Sequence, residues 1–284
     1  MNRLTIAGAV LAAALPAFAP PGDVFAKSNL VAWCIVPFDA KQRGPAERAE
    51  MLGRLGISRF AYDWRAKDIP TFDQELDELA KRNIRLQAFW LSSGLKPQSD
   101  KNVAAVLDFL QRRKVRTQIW YFVSGGKDLD ALGQEQKVEA VAAAVRYVAT
   151  AAAKTGGSVA IYNHGGWTGD PDNQIAVIRR LGMDNVGIVY NFHHGRQDMD
   201  RFPELFARML PYLMAVNVNG MKEGAPMILP LGEGDRELEM LRVIRRSRYQ
   251  GPIGILNHRP EVDAETGLQQ NLDGLRKLLA RMKD

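Results

Sequence analysis

Short runs rich in β-branched and aromatic residues alternate along the chain with longer stretches in which apolar positions recur every three or four residues. The short runs cover 30–36, 59–62, 85–91, 115–123, 158–163, 186–191, 213–218 and 253–257; the longer ones cover 45–55, 72–82, 103–113, 135–154, 172–181, 202–210, 236–247 and 263–282. These lengths and periods predict β-strands and amphipathic helices respectively. Eight repeats of strand then helix, with no Pro-, Gly- or Ser-rich linker between them, predict a single α/β domain closed as a (β/α)8 barrel. An open, doubly wound sheet also alternates strands and helices, but the Gly-x-Gly-x-x-Gly turn expected after its first strand is absent.

Composition agrees with one globular unit. The 284 residues are 46% hydrophobic and 25% charged, and the formal charge is +6. A single cysteine, Cys34, excludes a disulfide scaffold and a cysteine-rich metal module. Asn2-Arg3, an apolar run from Leu4 to Leu15 and a Pro-rich stretch ending Val24-Phe25-Ala26 follow the order of a secretory signal. Cleavage after Ala19 would leave Pro20 at the new terminus, so the expected cut follows Ala26. Residues 1–26 are then a signal peptide and 27–284 the barrel, exported to the periplasm or beyond the cell. The apolar run is shorter than the roughly 20 residues that span a bilayer, so no stable membrane insertion is expected after cleavage. Cys34 lies well past that run and is expected as a buried thiol in a strand.

In a closed parallel barrel, chemistry gathers at the carboxyl ends of the strands. All four histidines fall there: His164 after the fifth strand, His193 and His194 after the sixth, and His258 after the eighth. Imidazoles brought to one mouth suit metal binding or acid–base work. Trp33, Trp64, Trp90, Trp120 and Trp167 lie within or just past strands one to five, where their flat faces can stack on a sugar ring, although some must serve barrel packing. Asn163, Asn191, Asn217, Asn219 and Asn257 end strands five to eight, and an amide both donates and accepts, as a polyol requires. Asp39, Asp63, Asp198, Asp200 and Glu233 supply carboxylates. Of these, Asp63 between two aromatics and Glu233 on a glycine-flanked loop are the acid–base candidates, with His164 as a third catalytic group.

The segments Ile161-Tyr162-Asn163-His164-Gly165-Gly166, Val189-Tyr190-Asn191-Phe192-His193-His194-Gly195, Leu231-Gly232-Glu233-Gly234 and Gly251-Pro252-Ile253-Gly254-Ile255-Leu256-Asn257 resemble the xylose isomerase-like TIM barrels, the sugar phosphate isomerase/epimerase superfamily. The resemblance implies a divalent metal held by Glu after strand five, Asp and His after strand six, His at strand seven and Glu on strand eight. The matching positions here read Tyr162 or Asn163, Asn191 with His194, Asn217, and Asn257. An amide brings no negative charge to offset a hard cation. Two readings stay open. His164, His194 and His258, with His193, form a nitrogen-rich site for zinc, manganese or another transition metal; or the metal is lost and imidazoles and carboxylates act alone.

Either reading leaves a small carbohydrate as the partner, and the sequence leaves oligomeric state open. The basic clusters Arg112-Arg113-Lys114, Arg179-Arg180 and Arg245-Arg246 sit at helix carboxyl ends, away from the mouth, so nucleic acid is not expected. The acid of Gly232-Glu233-Gly234 disfavours a phosphorylated sugar, while Arg196 and Arg259 leave room for an anionic one. The expected activity is isomerase or epimerase chemistry, removing a proton beside a sugar carbonyl. A keto-sugar lyase shares that first step, and a non-catalytic sugar-binding barrel is the alternative of a different class.

Overall fold

The computed structural model describes residues 23–224 and 228–282. Eight strands, β1 (Leu30–Trp33), β2 (Arg59–Tyr62), β3 (Arg85–Ser93), β4 (Gln118–Val123), β5 (Ser158–Tyr162), β6 (Val186–Asn191), β7 (Leu213–Val218) and β8 (Ile253–Leu256), close in sequence order into a parallel barrel. The helices that return the chain are α1 (Pro45–Leu55), α2 (Phe72–Lys81), α3 (Lys101–Arg112), α4 (Gln134–Ala153), α5 (Pro171–Leu181), α6 (Phe202–Met209), α7 (Glu237–Arg246) and α8 (Ala264–Arg281). The expected (β/α)8 barrel is thus the observed fold. Among the described residues no helix is long and apolar enough to cross a membrane.

Local chemistry sets the element ends. Pro45 opens α1, where its missing N–H costs nothing, and Gly56 closes it in the left-handed conformation at φ 64°. The Asp170 carboxylate accepts from the backbone of Asp172 and Asn173 and starts α5. Four strands are shorter than the apolar pattern suggests, β5 and β8 by one residue each and the first and fourth by three. The fourth begins at Gln118 rather than 115, because Lys114 turns left-handed at φ 52° and Val115 N–H donates back to Leu110. The first ends at Trp33 because Cys34 takes φ 56°, which places this buried thiol beyond the strand rather than in it.

Two apolar layers form. The outer one lies between strands and helices; the inner one fills the lumen with Val31, Trp33, Ala61, Ala88, Trp120, Ala160, Val189, Ala215 and Leu256. Alanines on β2, β3, β5 and β7 leave room for Trp33 and Trp120, which meet edge to face with centroids 4.8 Å apart. The lumen is therefore packed, and open space is left at its mouth.

The seam between β1 and β8 runs in register from Leu30↔Ile253 to Trp33↔Leu256 and continues past both strands. Asn257 N–H donates to Trp33 O at 3.1 Å and His258 N–H to Cys34 O at 3.2 Å. The loops beyond are tied as well. Arg43 holds Asp39 and Asp263 at 2.8 and 2.7 Å, Ala264 N–H donates to the Asp39 carboxylate, and Asn257 Nδ2 donates to Phe38 O. Burial works to raise the Asp39 pKa, but bonds from Ala264, Arg43 and Lys41 outweigh it and hold the carboxyl below its usual value. Asp39 is therefore a loop clasp.

Residues 23–26, expected as the end of the signal segment, are packed against the barrel. Val24 and Phe25 are 6% and 3% exposed, Asn29 Nδ2 donates to Val24 O and Gly251 O, and Arg245 pairs with Asp23 and lies 5.6 Å from the centre of the Phe25 ring. The remainder of the expected signal segment, residues 1–22, lies outside the described residues. At the helix ends the basic clusters are largely spent on ion pairs: Arg112 and Arg113 with Asp73, Arg113 also with Asp77, and Arg180 with Glu139.

Candidate active site

A pocket of about 340 Å³ opens at the carboxyl ends of the strands. Trp33, Trp90, Tyr162, Phe38 and Leu256 give it apolar walls; Cys34, Asp63, Arg65 and all four histidines give it chemistry. His164 follows β5 and precedes Gly165 (φ 90°) and Gly166 (φ 63°), a reversal that side chains with a Cβ resist. His193 and His194 lie in a tight turn, Phe192–Asp198, opened by Asn191, whose Oδ1 accepts from His193 N–H at 3.3 Å. His258 has φ 25°, beside Cys34 across the seam. Cys34 and His258 are thus two non-glycine residues held in this sparsely populated region at one pocket.

The imidazoles form a chain across the mouth. Ring centroids are 4.4 Å apart for His164 and His194, 3.7 Å for His193 and His194, and 5.6 Å for His193 and His258. Phe122 flanks one end of the chain and Phe38 the other. Burial lowers the pKa of every member. Repulsion from His258, His164 and Arg196 adds to it at His193, which falls to about 3, and repulsion from His193, His164 and His258 at His194, which falls to about 2. At neutral pH the pocket is lined by uncharged imidazoles.

Asp63 is the carboxylate the strands bring to them. It is 2% exposed, its Oδ1 accepts from Val36 N–H at 3.2 Å, and its Oδ2 has no hydrogen-bond partner. Burial, opposed in part by Arg65, pushes its pKa up to about 6. Burial and the nearby Asp63 push the Cys34 thiol up, so it stays protonated.

The side chains do not fit a metal ion. Among the described residues no three His, Cys, Asp or Glu side chains are placed to hold one. Imidazoles that share a tetrahedral metal point their edges at it, with nitrogen near 2.0–2.1 Å, which keeps the ring centres roughly 5 Å apart. The contacts at 4.4 and 3.7 Å are instead partly face to face, with interplanar angles of 47° and 43°. His164, His194 and His258, expected as zinc or manganese ligands with His193, converge as a stacked chain rather than a ligand set.

The other expected site residues divide. Trp33 and Trp90 line the pocket. Trp64 stands beside it, its Nε1 donating to Trp90 O at 2.7 Å. Trp120 is sealed in the lumen, where Gln118 accepts from its Nε1, and Trp167 sits at the periphery, bonded to Gln134. Glu233, expected as a catalytic acid–base group, is exposed and lies outside this pocket. Its loop is held by Glu237, whose carboxylate accepts from Gly232, Gly234 and Met221 N–H at 3.0–3.1 Å.

The asparagines are mostly structural. Asn163 and the Asn191 backbone exchange two hydrogen bonds at 3.1 and 2.8 Å, and Asn191 Nδ2 donates to Tyr162 Oη. Asn219 Nδ2 donates to Gly220 O and Asn257 Nδ2 to Phe38 O. Asn217 is fully buried with both amide atoms unpartnered, in space that Gly254 leaves open, since a Cβ there would overlap Asn217 Oδ1. None of the five lines the pocket. The pocket residues that sequence reasoning did not single out for the site are Cys34, Phe38, Arg65 and Leu256, and Tyr162 entered only as one of two matches to the family's strand-five ligand. Tyr162 could have been found from strand alternation, since it shares the inward face of β5 with Ala160.

The chain matches the model of the xylose isomerase-like TIM barrels over residues 46–278. Among curated proteins none matches it. Solved structures with the same fold include the 3-keto-D-glucoside 4-epimerase YcjR from E. coli, 14% identical, covering 89% of this chain and 99% of that one with a TM-score of 0.65. The IolI protein with a bound zinc atom is 13% identical, over 89% and 98% of the two chains, with a TM-score of 0.68. D-psicose 3-epimerase with D-tagatose, from Clostridium cellulolyticum H10, is 13% identical, over 88% and 99%, with a TM-score of 0.62. The family match spans all but the first strand and the two ends of the chain, and these barrels share its course throughout: the protein belongs to the xylose isomerase-like TIM barrels.

Proposed function

We propose that this barrel is an isomerase- or epimerase-type enzyme that removes a proton from the carbon beside a sugar carbonyl, with Asp63 as the base. The observation that carries the reading is Asp63 Oδ2, buried in the pocket wall without a partner, on a carboxyl whose pKa is raised to about 6. A base poised near the working pH combines a large ionised fraction with greater proton affinity than an ordinary carboxylate. The neighbouring imidazoles suit the other half of the step. Each is neutral and carries one N–H, so His193 or His258 can donate to the carbonyl oxygen as negative charge gathers on it.

The half-buried Trp90 offers a face on which a sugar ring can stack. Structural neighbours named as a 3-keto-glucoside epimerase and a psicose epimerase support the same substrate class. The zinc-bearing neighbour supports a metal elsewhere in this fold, whereas the stacked imidazoles here support proton transfer by side chains. The charged-then-apolar amino terminus supports export, with the enzyme working in the periplasm or outside the cell. Helix-end arginines already engaged in ion pairs support a small-molecule partner over nucleic acid.

The test is carbon–hydrogen exchange in heavy water. Incubated with fructose, psicose, tagatose and a methyl 3-keto-glucoside, the protein should place deuterium beside the carbonyl of at least one, and Asp63→Asn should slow this by about 10² to 10⁴. Exchange that survives Asp63→Asn unchanged would remove Asp63 from the mechanism. A sugar that binds without any exchange would make the protein a non-catalytic binding barrel.

A further inference from the structure

A second pocket, of about 450 Å³, abuts the first and shares two of its residues, Trp90 and Arg65. Its remaining walls are Trp64, Ala66, Ser92 and Asn102. Trp64 is pinned by its Nε1 bond to Trp90 O, and Arg65 Nη1 donates to Asp63 O and Trp64 O, both at 2.8 Å. The partition between the pockets is therefore a fixed ridge. It carries a half-buried indole, Trp90, and an exposed arginine whose guanidinium is tied at Nη1.

The lining has a clear chemical character. Two indoles give apolar faces, the exposed Ser92 hydroxyl and Asn102 amide both donate and accept, Arg65 donates, and no carboxylate contributes. That combination fits a second hydroxyl-bearing ring. It does not fit an apolar tail, which would leave the polar groups unpaired, nor a cation, which would face Arg65 without an acid.

We propose that the second pocket is a subsite for a glycosyl unit attached to the reacting sugar, so the preferred substrate is a disaccharide or other glycoside carrying a carbonyl rather than a free monosaccharide. The inference rests on the proposed function, since it takes the first pocket as the place where the reacting ring binds.

Calorimetric binding of fructose, turanose, lactulose and palatinose tests it. The last three carry a hexosyl group on different oxygens of a ketohexose, so at least one linkage should cross the ridge. At least one disaccharide should bind about tenfold or more tightly than fructose, because a second stacked and hydrogen-bonded ring adds contacts. Asn102→Trp, on the exposed first turn of α3, fills the subsite and should abolish that advantage while leaving fructose affinity within about twofold. Ser92→Tyr fills it from β3 and should do the same, which guards against a folding defect in either variant. Disaccharides no tighter than fructose, or variants that weaken fructose and disaccharides equally, overturn the subsite and leave the proposed function standing. A protein that binds none of the four sugars overturns the subsite, and the proposed function falls with it only if the deuterium exchange also fails for every sugar of its own panel.

Discussion

Replacing Asp63 by asparagine should make the protein more stable at pH 8 and change it little near pH 3. Burial lifts this carboxyl from an ordinary 3.8 to about 6 in the fold. A folded pKa above the unfolded one means that the group's contribution is complete below about pH 4 and is lost as pH rises through about 6. That rise, at about 1.36 kcal/mol for each tenfold change in proton affinity, makes the ionised carboxylate a burden of about 3 kcal/mol at pH 8. Asparagine keeps the oxygen that accepts from Val36 N–H and puts a neutral amide where Oδ2 lacks a partner. For a domain of this size that difference corresponds to a melting point higher by about 6 to 12 °C. Paired thermal melts by circular dichroism from pH 3 to pH 8 measure it, and the difference between the two proteins cancels the titration of every other group. A variant less stable than the parent at pH 8, or a gap that does not change with pH, would refute the reasoning. Stability gained together with exchange lost is what a carboxylate held out of water for chemistry should give.

The histidines titrate with the opposite consequence. Their folded pKa values, about 3 for His193 and about 2 for His194, lie below the ordinary 6.5, so their contribution is present above pH 6.5 and drains away as pH falls toward those values. Melting points should therefore drop steeply between pH 7.5 and 4.5, and the double variant His193→Gln/His194→Gln should flatten that slope; parallel slopes would show that the pair is not the cause. A chain begun at Lys27 loses the burial of Val24 and Phe25, about 3 to 6 kcal/mol. It should melt well below one begun at Asp23; equal melting points would sink that expectation.

The barrel was legible because its signals are local and repeated. β2, β6 and β7 match their apolar runs at both ends, and α1 is framed by Pro45 and Gly56. The two ends misplaced by three residues are set by left-handed residues, Cys34 and Lys114, which no apolar pattern marks. The site was legible to the level of which strand ends meet, and this drew the four histidines, Asp63, Trp33 and Trp90 into one pocket. What a strand-end residue does there depends on the neighbour it faces. The Asn163 side chain binds the Asn191 backbone and the Asn191 side chain binds the Tyr162 hydroxyl and the His193 N–H of its own turn, while Glu233 sits four residues before Glu237, the acid its loop folds around. Such choices depend on distances across the sheet or within a turn, and residue type at a strand end does not encode them.

The seam between β1 and β8 also bears on how the protein is made. Cys34 and Phe38 follow the first strand, His258 follows the last, and the bonds from His258 to Cys34 and from Asn257 to Phe38 join the two ends of the synthesis. Until the final strand leaves the ribosome, the pocket lacks one wall, one imidazole and the partner that holds Cys34 in its strained turn. Ligand affinity should thus arrive abruptly, with the last helical return, instead of accruing strand by strand. Half-barrels cut between β4 and β5 would each carry part of the imidazole and carboxylate set and bind nothing alone, and a bound sugar would act as a clasp on a cylinder whose ends are some 220 residues apart in the chain.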